Sequence, residues 1–183
     1  MMSFRSFIAV DVECGEDLRD AISELRHFGR ALKPVSPDNL HVTLKFLGDT
    51  DERCVPQLKK VMKEAVKGVT PFNVKLVGTG AFPNPRTARV IWVGMEGSEP
   101  FQDMVTKLED GCDLLGFGRD KQVFSPHLTL ARVREGFNAD LADFMKYGHE
   151  KDFGTFTVNA LKLKKSVLTP EGPVYSDMAE VRF

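Results

Sequence analysis

One short pattern occurs twice in this chain, and it limits what can be built around it. His41-Val42-Thr43-Leu44 returns as His127-Leu128-Thr129-Leu130, 86 residues further on. Polar and apolar residues alternate in both copies, the period-2 signature of a strand with one face in a core. Each copy therefore sends an imidazole and a hydroxyl to one face and two aliphatic side chains to the other. The chain has only four histidines, so two of them in the same frame point to a shared origin or a shared task. A His–Thr pair kept for structure alone would need a partner for every buried ring nitrogen, a cost that Val or Leu avoids. Two such strands facing one another would supply an acid, a base and two hydroxyl donors to whatever lies between. That set suits phosphoryl chemistry by general acid–base catalysis.

Around the two motifs the periodicity alternates between strand and helix. Phe4 to Val12 reads as a strand, and Glu16 to Leu32 as a helix with Leu18, Ile22, Leu25 and Phe28 on one face. Pro34 and Pro37 end it, and Leu40 to Leu47 is the first motif strand. Asp51 is placed to cap a second helix running to Val66. Phe72–Val77 and Arg89–Val93 read as strands around a turn-rich loop, Gly80 to Pro85. A helix from Glu99 or Pro100 to Leu115 follows, then the second motif strand from about Pro126. A weaker helix at Asn138–Tyr147 precedes strands at Phe153–Lys164, Ser166–Leu168 and Val174–Phe183. Helices thus interleave with strands that often follow one another directly, an α+β pattern. The order strand–helix–motif strand–helix–strand pair is met twice, which suggests two duplicated lobes. No linker is rich enough in Pro or Gly to separate domains, so residues 1–183 read as one bilobal unit.

The bulk composition removes several classes of function. Twenty-five basic against 26 acidic residues give a net charge of −1, so any contact with nucleic acid must be a local patch and not a basic face. Cys14, Cys54 and Cys112 form no C-x-x-C pair and suggest neither disulfides nor zinc; they fit a reducing cytosol. No apolar run has the length of a membrane span, and Met1–Val12 lacks a signal-peptide layout, so a cytoplasmic protein with no membrane partner is expected. His27 and His149 stand in polar surroundings with no metal-ligand spacing, and no phosphate-cradling glycine loop is present. Neither a metal nor another cofactor is expected.

Several segments together resemble the 2H phosphoesterases, and within them the RNA 2′,3′-cyclic phosphodiesterases, also called 2′-5′ RNA ligases. They are Phe7–Asp11 (FIAVD), Pro37–Gly48 (PDNLHVTLKFLG), Phe82–Arg86 (FPNPR), Val90–Gly94 (VIWVG) and Pro126–Arg132 (PHLTLAR). The likeness runs nearly end to end. It implies a bilobal, pseudo-two-fold fold of two antiparallel sheets with outer helices around a central cleft. It further implies hydrolysis of an RNA-terminal 2′,3′-cyclic phosphate to a 2′-phosphate, with a weak reverse 2′-5′ joining of ends. The expected partners are RNA ends, those of tRNA fragments among them, met by a monomer.

The resemblance assigns His41 as general acid to the leaving 3′ oxygen and His127 as general base to water. The two motifs are too alike for the sequence itself to exclude the reverse. Thr43 and Thr129 would hydrogen-bond the non-bridging oxygens. Arg132 resembles a family arginine that contacts phosphate, yet strict alternation puts it on the face opposite His127; either the strand bulges or ends before it, or it is structural. Lys45 has the parity of His41 and Thr43, and Arg86 is a candidate for backbone contact. Phe7, Phe117 and Phe124 are candidate platforms for a base. Two other readings keep the motifs: a phosphodiesterase for linear 2′-5′ oligonucleotides or small cyclic nucleotides, and a non-catalytic RNA-end binding module.

Overall fold

The computed structural model describes residues 3–183. In chain order its strands and helices are β1 (Ser3–Asp11), α1 (Glu16–Arg26), β2 (Leu32–Pro34), β3 (His41–Asp51), α2 (Val55–Ala65), β4 (Phe72–Phe82) and β5 (Val90–Glu96), followed by α3 (Pro100–Leu114), β6 (Leu128–Val133), α4 (Ala142–Gly148), β7 (Asp152–Val158), β8 (Ala160–Thr169) and β9 (Gly172–Arg182). They form two antiparallel sheets, ordered β3-β1-β8-β9 and β2-β6-β5-β4-β7. Each motif strand lies beside the strand that opens its half of the repeat, β3 beside β1 and β6 beside β5. The fold is the bilobal α+β arrangement that the alternation suggested, and β3 and β6 touch where the two sheets meet.

The helices cross between the halves. Following β1, α1 packs not on the first sheet but on β2, β6 and β7 of the second, burying Leu18, Ala21, Ile22 and Leu25 there. Conversely α3, which follows β5 of the second sheet, packs on β3 and on α2, burying Phe101, Met104, Val105, Leu108 and Cys112. Each Leu, Ile, Val, Met and Phe among them contributes about 1.5–3 kcal/mol by leaving water. The α2–α3 contact is close because Gly111 has no side chain; a Cβ there would lie 2.5 Å from Val61 Cγ1. Each motif strand is thus backed by the helix of the other half.

Several boundaries differ from the expected ones, each for a local reason. The first helix stops at Arg26, and Leu32–Pro34, read as its tail and end, forms β2 on the edge of the second sheet against Ala131–Val133. Asp51 caps a short 3₁₀ turn, Glu52–Cys54, by accepting from the Arg53 N–H at 2.9 Å; α2 starts only at Val55. β4 runs on to Phe82, through the start of the expected loop, because its glycines let the indole of Trp92 lie against the strand: a Cβ on Gly80 would sit 2.2 Å from that ring. The single strand expected over Phe153–Lys164 is two strands in two sheets, and the chain changes sheet at Asn159. The weaker helix begins at Ala142, four residues later than expected, held by the Asp140 carboxylate on the Ala142 N–H. The second motif strand joins its sheet at Leu128, so His127 stands just before the ladder. Among the described residues no helix is long and apolar enough to cross a membrane.

Candidate active site

The two motif strands share a defect that alternation cannot foresee. In β3 the pairing with β1 passes from Ala9↔Thr43 to Ile8↔Lys45, leaving Leu44 without a partner. In β6 the pairing with β5 passes from Trp92↔Thr129 to Ile91↔Ala131, leaving Leu130 over at the matching position. A bulge adds one residue and inverts the alternation beyond it. Leu44 and Lys45 are consequently both buried, as are Leu130 and Ala131. The residue after each pair, Phe46 in one strand and Arg132 in the other, turns to the face that carries His and Thr.

This settles the facing of Arg132 and overturns that of Lys45. Arg132 is exposed on the His127–Thr129 side and, among the described residues, has no ion-pair partner. Lys45 is directed the other way and is 1% exposed. Its ammonium lies 2.9 Å from Glu109 of α3 and 3.2 Å from Asp120 in the loop that leads to His127. Burial alone would lower its pKa, but the hydrogen bonds from Glu109 and Asp120 outweigh this and raise it. Lys45 is a structural ion pair behind the site.

Both imidazoles are held in the same way. His41 Nδ1 lies 2.6 Å from the carbonyl of Asn39, and His127 Nδ1 lies 2.8 Å from the carbonyl of Ser125. A carbonyl only accepts, so Nδ1 carries the proton and Nε2 is left as the working nitrogen in each ring. Burial is the largest influence on both pKa values and lowers them, against the carbonyl bonds, which raise them. Arg132 lowers both rings further, so one guanidinium lies within electrostatic reach of both histidines. Thr43 and Thr129 are half-buried, and among the described residues their hydroxyls have no partner.

The surroundings of the two rings differ. His41 sits in an aromatic corner, 4.9 Å from the ring of Phe7 and 5.3 Å from that of Tyr175. Beside it, Asp11 and Asp177 are bridged by Lys162 and Lys164 in four contacts of 2.8 Å. Burial would raise Asp177, but the bonds from the two lysines hold its carboxyl below the usual range. The matching side of His127 is apolar: Phe82 meets the imidazole edge-on at 5.1 Å and leans on Trp92.

Other candidate residues take different places. Phe7 touches His41 but is 5% exposed, so it is a wall of the site with little open face. Phe117 and Phe124 are half-buried against the core in the loop before β6. Arg86 is exposed in a 3₁₀ turn that Asn84 caps through its side-chain oxygen. His27 and His149 lie on the surface beside Glu24 and Glu150. Among the described residues no group of three or more His, Cys, Asp or Glu is gathered as a metal site. Tyr175 and the Asp11–Lys162–Asp177–Lys164 ring were missed from the sequence. The lysines had a usable signal, since Leu161, Lys162, Leu163 and Lys164 alternate as β1 does.

Comparison with known proteins agrees with this geometry. The family model described as LigT like Phosphoesterase matches twice, over residues 8–92 and 93–175. One copy contains His41 and Thr43, the other His127 and Thr129. The RNA 2′,3′-cyclic phosphodiesterase of Methanothermobacter thermautotrophicus is 39% identical, the match covering 99% of this chain and 100% of that one. The protein of the same name from Archaeoglobus fulgidus is 36% identical over 95% and 97% of the two chains. The crystal structure of TT0787 of Thermus thermophilus superposes with a TM-score of 0.77 at 32% identity, covering 97% of each chain. Escherichia coli LigT complexed with 3′-AMP has the same fold, with a TM-score of 0.74 at 22% identity over 99% and 98%. With one His-x-Thr strand inside each matched repeat and relatives aligned along its whole length, the chain belongs to the LigT-like phosphoesterases.

Proposed function

We propose that this chain is an RNA 2′,3′-cyclic phosphodiesterase, acting as one bilobal catalytic unit and opening the terminal cyclic phosphate to a 2′-phosphate. The observation that carries the reading is the matched pair of imidazoles: each has Nδ1 tied to a carbonyl and Nε2 free, and Arg132 is within electrostatic reach of both. In-line displacement at phosphorus needs a base on one side and an acid on the other, which two strands supply and one strand does not. His127 Nε2 takes a proton from water as the water oxygen bonds to phosphorus. The bond from phosphorus to O3′ breaks, and His41 Nε2–H gives its proton to that oxygen. Arg132, Thr43 and Thr129 meet the non-bridging oxygens, where charge accumulates. With the 5′-hydroxyl of a second RNA end in place of water, the same steps form the bond from that oxygen to phosphorus as O3′ leaves, and join the ends weakly through a 2′-5′ linkage. The names of the relatives support RNA ends as the substrate class, and the ends of tRNA fragments are substrates of that kind.

Both motifs belong to one chain, so a monomer carries a full site. Free Cys14, Cys54 and Cys112 suit a reducing cytoplasm. The acid–base pair is sufficient without a metal. Purified protein incubated with an oligoribonucleotide ending in a 2′,3′-cyclic phosphate should yield the 2′-phosphate, read by phosphorus NMR. No turnover, or a 3′-phosphate product, refutes the reading. Faster turnover of linear 2′-5′ dinucleotides would move the substrate class instead.

A further inference from the structure

Two cations stand opposite each other at the edge of the second sheet. Lys33 of β2 is the register partner of Arg132 in β6, so both side chains leave the sheet on the face that carries His127 and Thr129. Like charges set directly opposite one another destabilise a strand pair. Among the described residues neither has an ion-pair partner, and on its other side Arg132 meets only Val90. An edge lysine often does no more than keep other chains from pairing there. Lys33 instead is half-buried, and the turn between β8 and β9 of the first sheet lies against it. A Cβ on Gly172 in that turn would lie 3.7 Å from Lys33 Cε and 3.9 Å from its Nζ. An unpaired ammonium kept half-covered beside a guanidinium is a departure from good packing of the kind that marks a working surface. What it lacks is an anion.

The same turn fixes which end of the cleft this is. The Pro173 carbonyl accepts from Asn39 Nδ2 at 3.0 Å, and the Asn39 carbonyl is the one that holds His41 Nδ1. Tyr175, two residues further on, meets the His41 ring. Lys33 therefore stands at the His41 end, one strand spacing, about 4.8 Å, outside Arg132. Arg132 acts electrostatically on both imidazoles, and Lys33 is not among the charges that act on either. Arg132 is placed for the reacting phosphate, and Lys33 for an anion one step beyond it. In an RNA strand that anion is the next phosphodiester. His41 serves O3′, so the terminal ribose lies at its end of the cleft, and the 5′ side of that ribose carries the neighbouring phosphate. We propose that Lys33 binds the phosphodiester on the 5′ side of the terminal nucleotide, and so favours the end of a strand over a free nucleoside cyclic phosphate. This rests on the function proposed above and extends the site one nucleotide upstream.

The test uses a dinucleotide ending in a 2′,3′-cyclic phosphate, made once with the natural phosphodiester between its nucleosides and once with an uncharged methylphosphonate. For wild type, Lys33→Met and Lys33→Arg, the ratio of kcat/KM between the two substrates is measured. One hydrogen bond to a charged group predicts a wild-type ratio of about tenfold, arising chiefly in KM. Lys33→Met should bring the ratio close to one, and Lys33→Arg should keep it. The ratio is internal to each protein, so a general loss of activity through altered packing leaves it where it was. A wild-type ratio near one overturns the proposal, as does a wild-type ratio retained by Lys33→Met or an equal collapse in Lys33→Arg. A second readout does not need turnover: binding of the two corresponding dinucleotides ending in a 2′-phosphate, by calorimetry, should show the same preference and its loss in Lys33→Met. Equal affinities of wild type for both overturn the contact. A preference that Lys33→Met abolishes, without hydrolysis of either substrate by wild type, overturns the proposed reaction and leaves the contact standing.

Discussion

Replacing Lys45 by Met tests the claim that this lysine is structural and lies behind the site. Methionine keeps the length of the side chain and removes the ammonium. What remains is Glu109, whose side chain is 14% exposed, and Asp120, which is 45% exposed. Removing one partner of a buried ion pair costs about 3–5 kcal/mol, because the other charge stays uncompensated. Asp120 returns to water at little cost, and Glu109 keeps a hydrogen bond from the Asp120 N–H at 3.0 Å. The loss should therefore sit at the low end, about 3 kcal/mol. In a chain of this size 1 kcal/mol shifts Tm by about 2–4 °C, so a fall of about 6–12 °C is expected. The sign with pH follows from the raised pKa of Lys45. Its contribution is complete below the ordinary lysine value, about 10.4, and fades only as pH rises through the raised value in the fold. The Tm difference should thus be constant between pH 7 and 9 by circular dichroism. Lys45→Met/Glu109→Met, which removes both charges, should recover most of the loss. A fall under 2 °C, or no recovery in the double variant, would refute the buried pair as the source of stability.

Four further outcomes are expected. His41→Ala and His127→Ala should each lower kcat by about 10²–10⁴; a substrate with sulfur in place of O3′, which departs without a proton, should revive the His41 variant and not the His127 variant. Thr43→Ala and Thr129→Ala should cost less, near the low end of the roughly 10²–10³ seen for one transition-state donor; a loss as large as that of the histidines would contradict their role. Since both imidazole pKa values are lowered, the state with one ring charged and one neutral is most populated below about pH 6.5. The kcat/KM profile should be a bell centred there, and Arg132→Met should move it to higher pH, because it removes a cation that lowers both rings; a shift to lower pH would show that Arg132 acts otherwise. Finally, hydrolysis should survive excess EDTA, and a loss that added Mg²⁺ or Zn²⁺ restores would end the two-histidine mechanism.

Much of the scaffold was legible because burial repeats at simple periods. Leu18, Ile22 and Leu25, or Val42 and Leu44, can be read as core from spacing alone, and all are buried. The bulges were not legible, because Leu44 and Leu130 are apolar and fit a core whether or not a partner faces them. Beyond them strict alternation gives the wrong face: it put Lys45 beside His41, and it left Arg132 beside His127 only if the strand bulged or ended first, one of the two alternatives the sequence kept open. The change of sheet at Asn159 was hidden for a related reason, since Phe153 to Lys164 alternates acceptably as one strand and nothing local marks where hydrogen bonding changes partner. Tyr175 could not be placed at all from its neighbours. It reaches His41 only because β9 pairs with β8, and β8 with β1.

The crossed helices bear on how two nearly identical motifs can be kept at a fixed separation. If α1 backed β3 and α3 backed β6, each half could close its own core, and the cleft would be a hinge between independent units. Instead α1 supports the strand that follows His127 and α3 supports the strand of His41. Lys45 adds a polar link of the same kind, tying the first motif strand to Asp120 in the approach to the second. Moving one imidazole away from the other would then require pulling Leu18, Ile22 and Leu25, or Phe101, Met104 and Leu108, out of a core, at about 1.5–3 kcal/mol for each side chain. Proton transfer at both ends of one displacement needs that separation held to a fraction of an ångström. Duplication supplied the two nitrogens, and the exchange of helices holds them in register.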